Sequence, residues 1–254
     1  MYHFFVTPNQ IGPKQIQIEG SDVNHIRNVL RMVPGEEITI SSGSDGKEYF
    51  CRISTLEEDL VTAEIIQIRE AVTELSSRFA LIQGLPKNDK MEWIIQKAVE
   101  LGAAEIVPMA TKRAVVKLDA KKEESKRKRW NAISESAAKQ SKRTVIPEVK
   151  PVLSFRQAVD YAAASYDVCL IPYELADGME QTRKILGSIQ PGKSAAILIG
   201  PEGGFEEEEV AYAQEKGVIP ITLGHRILRT ETAGLAVLSA LMLQLDDRFP
   251  EETE

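Results

Sequence analysis

Two stretches near the C-terminus hold the residues whose types and spacing could do chemistry: Gly200-Pro201-Glu202-Gly203-Gly204 and Leu223-Gly224-His225-Arg226-Ile227-Leu228-Arg229-Thr230-Glu231-Thr232-Ala233. Each follows a short apolar run, Ala195 to Ile199 and Val218 to Leu223, with the length and branching of a buried strand. Each precedes a helix-like stretch, so both loops belong at strand ends, where open α/β sheets bind ligands. Three glycines and a proline in five residues let a ligand approach the backbone closely. The acids Glu206 to Glu209 then open the next helix, and Glu202 lies within the loop. Acids there favour the helix N-terminus through its dipole and make a poor cradle for polyphosphate. No GxxxxGK[ST] lysine or GxGxxG spacing is present. A neutral or cationic ligand suits the loop better, an adenosyl sulfonium among them.

The elements that must position these loops change character along the chain. Residues 1–72 read as short strands at Gln15 to Ile18, Glu37 to Ser41, Lys47 to Ile53 and Leu60 to Ile68, with a hairpin turn at Gly43 to Gly46 and a single helix at Val23 to Met32. From Arg78 onward, strands at Phe79 to Leu85, Ala104 to Met109, Asp167 to Pro172, Ala195 to Ile199 and Val218 to Leu223 alternate with helices. The helices are expected at Met91 to Leu101, Glu123 to Gln140, Ser154 to Ala163, Gln181 to Leu186, Glu206 to Glu215 and Thr232 to Leu245. Asn88 or Asp89 would cap the first of them and Gly102 would stop it. Such alternation predicts an α/β fold with a mostly parallel sheet covered on both faces. The expected division is a small β-barrel-like domain over 1–72 and an α/β domain over 73–254.

Composition narrows the function classes. Cys51 and Cys169 lie far apart, and His3, His25 and His225 have no metal spacing, so neither a disulfide framework nor a metal site is expected. No run approaches the ~20 apolar residues needed to span a bilayer, and the N-terminus lacks a signal-peptide pattern, which predicts a cytoplasmic protein with no membrane partner. The net charge of −7 hides a segment, Lys112 to Arg143, with 12 Lys or Arg against four acids. That local excess is either a footprint for a phosphate backbone or a solvated helix face.

The pattern GPEGGF followed by LGHRILRTETA resembles the ribosomal RNA small subunit methyltransferase E family of the SPOUT superfamily. GLPKNDKMEWIIQKAVELG, QSKRTVIPEV and NHIRNVLRMVPGEEI resemble further blocks of that family in the same order. The resemblance implies a PUA-like RNA-binding barrel followed by a trefoil-knotted SPOUT domain, working as a homodimer. It implies S-adenosylmethionine (SAM) as cofactor and methylation of N3 of uridine 1498 in 16S rRNA of the small ribosomal subunit. In that picture Ile171, Pro172, Tyr173, Ile199, Gly200, Pro201, Gly203, Gly204, Leu223, Gly224, Ile227, Leu228, Thr232 and Ala233 form the cofactor site. Ile171, Ile199, Leu223, Ile227 and Leu228 would wall the adenine, or else belong to the core.

Uracil N3 is a poor nucleophile while it keeps its proton, so the reaction needs a proton acceptor or stabilisation of the anion. Arg229 could stabilise that anion or grip a phosphate, and Glu202 or Glu231 could take the proton. Each has a structural alternative: Glu231 at a helix start, Glu202 on a loop amide, Arg229 paired with either. Arg27, Arg31, Lys87, Arg113 and Arg143 are the expected RNA contacts. His25 could meet phosphate or only pack, and Phe205 could stack a base or plug the core. Lys139 stands where the family pattern leads one to expect an acid, and His225 where proline is frequent. Competing readings are a ribose 2′-O- or transfer RNA base methyltransferase on the same fold, a non-catalytic RNA-binding assembly factor, and a generic nucleotide-binding protein.

Overall fold

A computed structural model describes residues 1–174, 176 and 178–246. The chain forms two compact units, one of Met1–Glu74 with Ala138–Ile146, the other of Leu75–Ala137 with the chain from Pro147 onward.

The first unit is built on a five-stranded sheet of β1 (Tyr2–Phe5), β2 (Gln15–Glu19), β3 (Glu37–Ser41), β4 (Lys47–Leu56) and β5 (Leu60–Glu70), in the order β1-β3-β4-β5-β2. Strict alternation in Gln-Ile-Gln-Ile-Glu places Ile16 and Ile18 inward, 0% and 1% exposed. They join Phe4, Ile38, Ile40, Ile53 and Val61 in one core, as a half-buried PUA-like sheet requires. β1 runs parallel to β3, whereas the other pairs are antiparallel. The turn between β3 and β4 carries Gly43 and Gly46 at φ of 75° and 67°, the conformation the GSDG signal predicts. The expected helix over 23–32 is shorter and irregular: α1 (Ser21–Asn24) widens into a π turn at His25–Val29. β1 was not anticipated, because Tyr-His-Phe-Phe shows no alternation of polar and apolar residues.

His3 sits in β1 against Phe5, and neither buried ring nitrogen has a hydrogen-bond partner. Burial, and next the Lys139 ammonium, depress its pKa to about 4. Lys139 itself pairs with Asp22 at 3.2 Å.

The second unit contains one parallel sheet, in the order β12-β10-β11-β6-β7-β8 with β9 also paired to β7. Its strands are β6 (Arg78–Gly84), β7 (Ala103–Ala110), β8 (Glu148–Val149), β9 (Leu153–Ser154), β10 (Val168–Pro172), β11 (Ser194–Ile199) and β12 (Ile219–Ile221). Every pairing is parallel. Central strands buried on both faces read as continuous apolar runs, hence Phe79-Ala-Leu-Ile and Ala195-Ala-Ile-Leu-Ile. The helices are α2 (Lys90–Glu100), α3 (Ala120–Gln140), α4 (Phe155–Ser165), α5 (Met179–Ser188), α6 (Glu207–Glu215) and α7 (Thr230–Leu245). Helices α4 and α6 cover one core with Ala80, Ile82, Val107 and Leu198, while α2 packs on α7 and α7 on β6 and β11. Asp89 occupies the N-cap position of α2 without a side-chain capping bond, and Gly102 ends the helix at φ 86° as expected.

Glu105 in β7 is 9% exposed and accepts hydrogen bonds from Tyr161 (2.6 Å) and Tyr166 (2.5 Å). A carboxylate buried on a sheet is thereby satisfied from α4 and the strand entry behind it. Burial, then the bond to Glu105, pushes the Tyr161 phenol up to about 12.

Chain reversal brings the loop after β11 against the end of β6. A Cβ built on Gly84 would lie 2.7 Å from both the Pro201 nitrogen and Cδ, and 3.0 Å from the Gly200 carbonyl carbon. Backbone cannot yield as a side-chain tip does. Gly84→Ala is therefore expected to lower stability by about 1–3 kcal/mol through overpacking, read as a lower urea midpoint at unchanged slope; a midpoint equal to the parent's would show the loop to be free to move. For His3, the unfolded chain binds protons near the ordinary value of 6.5 and the folded chain only near 4. Stability present above 6.5 is thus lost as pH falls towards 4. Thermal melts of His3→Phe should be flatter than the parent's across that window, and parallel curves would contradict it.

Candidate functional site

All strands of the second sheet run the same way, so the C-terminal ends of β6, β10, β11 and β12 lie along one edge. The chain steps from β7 and its outer neighbours β8 and β9 back across the sheet to β10, and inserts β11 between β10 and β6. That reversal of strand order is the place where open α/β sheets form a crevice for ligands. The loops that emerge there are Gly84-Leu85-Pro86-Lys87, Pro172-Tyr173, Gly200 to Gly204 and Thr222 to Arg229.

A hydrogen-bond relay joins three of these elements. The Gln83 side chain, fully buried at the end of β6, donates from Nε2 to Thr230 Oγ1 (2.8 Å) and to the Gly84 carbonyl (3.0 Å). Thr230, first residue of α7, donates from Oγ1 to the Gly200 carbonyl (2.6 Å). The glycine-rich loop is in addition turned on itself, the Gly204 amide donating to the Pro201 carbonyl (2.9 Å) with Gly204 at φ 67°. A Cβ on Gly200 would meet the Gly204 backbone at 3.1 Å and the Phe205 ring at 3.3 Å. Glycine is thus required at 200 by space, and at 204 by backbone conformation.

Both acids assigned to proton transfer meet one lysine. Lys90 Nζ, at the start of α2, lies 3.0 Å from Glu202 Oε1 and 3.2 Å from Glu231 Oε2. Glu202 also accepts from the Lys87 amide at 3.1 Å. Partial burial pushes the Glu202 carboxyl up, but its own amide, the Lys90 ammonium and the Lys87 amide outweigh that and hold it below the usual carboxylate range. The Lys90 ammonium is stabilised in turn, first by Glu202 and then by Glu231. Glu202 therefore braces the loop as an ionised carboxylate, and a depressed pKa makes it a weaker base. Arg229, the N-cap residue of α7, is exposed, and among the described residues its guanidinium forms no ion pair.

The expected cofactor residues divide by burial. Ile171 and Ile199 are 0% and 2% exposed and belong to the core of the sheet. Pro172, Tyr173, Leu223, Gly224, Leu228 and Ala233 are half-buried along the edge, with Gly224 at φ 96°. The Tyr173 amide donates to the Ile221 carbonyl (3.0 Å), tying the ends of β10 and β12 together. Pro201 is buried, Gly203 and Thr232 are exposed, and Ile227 is 87% exposed, which places it outside any wall in this arrangement. The amides of Thr232 and Ala233 turn back to the Arg229 carbonyl (2.8 and 2.9 Å).

The expected RNA contacts also divide. Arg31 and Lys87 are exposed, and Arg27 is half-buried with Nη1 donating to the Glu58 carbonyl at 2.8 Å. Arg113 grips Glu206 through Nε (3.0 Å) and Nη2 (3.2 Å) and donates from Nη1 to the Gly203 carbonyl (2.9 Å). It is a brace for the glycine-rich loop. Arg143 departs from the expectation of an exposed phosphate contact: it is 4% exposed, with Nη2 2.6 Å from Glu74. A buried guanidinium stays charged only with such a partner. Phe205 is 4% exposed and packs edge-on against Phe155, so it is a core plug and not a stacking platform. His25 is exposed with its ring edge towards Phe4.

Sequence reasoning missed Gln83, Thr230, Lys90 and Glu209. The signal for Gln83 was present: an uncharged amide interrupts the otherwise apolar strand Arg-Phe-Ala-Leu-Ile-Gln-Gly. Glu209, 5% exposed, accepts from the Lys112 and Glu206 amides, each at 2.9 Å, so one member of the acidic run fastens the loop after β7 to α6. Among the described residues there is no metal-holding cluster and no helix long and apolar enough to cross a membrane. Both described cysteines are free and buried.

Comparison with known proteins agrees with this architecture. Residues 73–242 match the RNA methyltransferase domain family, and residues 18–66 match the RNA methyltransferase PUA domain. The chain is 41% identical to the ribosomal RNA small subunit methyltransferase E of Bacillus subtilis over 232 residues, 90% of each chain. It is 30% identical to that of Synechocystis, over 95% of this chain and 78% of the relative. Among solved structures, the ribosomal RNA small subunit methyltransferase E from Neisseria gonorrhoeae bound to S-adenosyl methionine superposes with a TM-score of 0.83 at 33% identity, covering 96% of this chain and 98% of the other. A Legionella pneumophila protein solved in complex with the bound cofactor SAM gives a TM-score of 0.82 at 32% identity, covering 95% of this chain and 96% of the other. On fold, strand-end loops and these relatives together, the chain belongs to the ribosomal RNA small subunit methyltransferase E family.

Proposed function

We propose that this enzyme methylates N3 of uridine 1498 in 16S rRNA of the small ribosomal subunit, in the cytoplasm, with SAM as methyl donor. The observation that carries the reading is the convergence of the Gly200–Gly204 and Gly224–Ala233 loops at the edge where strand order reverses, tied together by the Thr230 to Gly200 bond. The residues present fit SAM. Glycine backbone at 204 and 224 faces open space and leaves room for close approach, Tyr173, Leu223 and Leu228 offer half-buried apolar surface, and no lysine-bearing phosphate loop competes. When bound, SAM supplies an electrophilic methyl group on a sulfonium.

The chain's own residues then have three tasks. The loop backbone positions the cofactor, and positioning alone supplies a large share of the acceleration in a transfer between two bound partners. Arg229, exposed and uncommitted at the N-terminus of α7, stabilises negative charge on the uracil oxygens as N3 gives up its proton. The proton passes to Glu231, to Glu202 or to water. Of the two acids Glu231 suits the task better, since Glu202 is also committed to the Lys87 amide.

Phosphate contacts are proposed along α3. Lys121 and Lys122 recur seven residues later as Lys128 and Arg129, two turns apart on the solvent-exposed face and about 10 Å along the axis. Lys122 and Lys128 have exposed, weakly held partners, Asp119 at 3.4 Å and Glu124 at 2.9 Å, whereas Arg129 pairs with the more buried Glu92 at 2.8 Å. Assembly as a homodimer is proposed through α7, which is apolar nearly all round and leaves Leu243 78% exposed. The trefoil knot belongs to the same proposal and rests on family likeness.

The test is transfer from labelled SAM to small ribosomal subunits and to deproteinised rRNA from a deletion strain, followed by nucleoside mass spectrometry. 3-Methyluridine is expected, and a ribose methyl or another base would overturn the assignment. Arg229→Ala should reduce kcat by roughly 100-fold with little change in SAM affinity, on the scale of losing one transition-state donor; an unchanged kcat would remove Arg229 from the reaction. Lys121→Ala with Lys128→Ala should flatten the dependence of log RNA affinity on log salt by about one to two. An unaltered slope would place the phosphate track elsewhere.

A further inference from the structure

Gln83 is an anomaly in its strand. Leu81, Ile82 and Gln83 are each 0% exposed, and an amide in that place loses its hydration unless both ends are bonded. Only one end is. Nε2 serves Thr230 Oγ1 and the Gly84 carbonyl, whereas Oε1 is buried and has no hydrogen-bond partner. The opposite amide orientation does not solve this, because Thr230 Oγ1 already donates its one proton to the Gly200 carbonyl. A leucine or methionine at this position would satisfy the core better than an amide with an orphaned oxygen. The residue is thus poorly explained by stability and better explained by what Nε2 holds.

What it holds is the seam between the two loops of the site. By orienting the Thr230 hydroxyl, Gln83 sets which way the Gly200 carbonyl faces and where the first turn of α7 begins. That turn presents Arg229 and Glu231 on either side of Thr230. We infer that Gln83 is a positioning residue for methyl transfer, acting through Thr230 to fix the cofactor loop and the Arg229 turn relative to each other, at the expense of an unsatisfied buried oxygen. The inference rests on the functional reading above. It assigns Gln83 no contact with substrate or cofactor.

A role in the core and a role in positioning differ in sign. If Gln83 serves only packing, Gln83→Met lowers the melting temperature, and turnover falls only as far as the folded fraction does. If it positions the site, apo Gln83→Met melts no lower than the parent, since the orphaned oxygen is gone, while SAM binding or kcat falls about tenfold or more, as misplacement at a reacting centre does. Thr230→Val should produce the same loss and Thr230→Ser should restore most of it. The double variant Gln83→Met with Thr230→Val should be no worse than either alone, because the two share one network.

The experiment is therefore a set of five proteins, parent included, measured for thermal unfolding without ligand, for SAM dissociation constant by calorimetry, and for kcat and KM with rRNA. SAM affinity and kcat within about twofold of the parent in both Gln83→Met and Thr230→Val, a Thr230→Ser protein as impaired as Thr230→Val, or additive losses in the double variant would each overturn the inference. Should Gln83→Met fail to fold, the contrast of Thr230→Val with Thr230→Ser still decides it. Failure of the parent protein to methylate rRNA would count against the functional reading alone, and the SAM-affinity series would still test the relay.

Discussion

The arrangement depends on a parallel sheet that must join its active loops by something other than the sheet itself. Hydrogen bonds between β6, β10, β11 and β12 end where the strands end, and the loops beyond have no ladder to hold them. The Gln83, Thr230 and Gly200 relay supplies the missing connection at one point, inside the protein and away from competing water. Gly84 allows it, because any side chain there would drive the loop after β11 off the end of β6. Gly234 does the same service for α7, where a Cβ would come within 2.8 Å of Leu81 Cδ1 and 3.3 Å of Ile199 Cγ1.

Around that buried connection lies an outer ring of charge. Lys90 gathers Glu202 and Glu231, and Arg113 gathers Glu206 and the Gly203 carbonyl, while the buried Glu209 inside this ring is held by two amides. The division follows the dielectric: a neutral relay lies inside, where an unpaired charge would be costly, and ion pairs lie at the rim, where each contributes little energy but limits where a loop can go. Acids that look at first like catalytic candidates are thereby shared with scaffolding, whereas the exposed guanidinium of Arg229 forms no ion pair among the described residues.

Much of the fold was legible because burial imposes period and composition. Continuous apolar runs identified β6, β10 and β11, and alternation identified β2. The misses have definite causes. β8 and β9 are two residues long, too short for any period to show, and the helix after Gly20 loses its register in a π turn that no local pattern signals. Of the site, the glycine-rich loops were visible as motifs. Arg143 reads as an RNA contact because charge is usually exposed to partners, and Phe205 reads equally as a stacking platform or a core plug; only the fold reveals Glu74 beside one and Phe155 beside the other.

By itself the sequence determined the succession of strand-rich and alternating segments, the glycine-rich loops at strand ends, and the family, because these depend on local periodicity and on ordered short motifs. Tertiary structure alone decided which polar residues support the site and which face it. Gln83 and Thr230 lie 147 positions apart, and Lys90 and Glu202 lie 112 apart. Partnerships at such separation arise from the order in which strands are laid into the sheet, and strand order leaves no periodic trace in the chain.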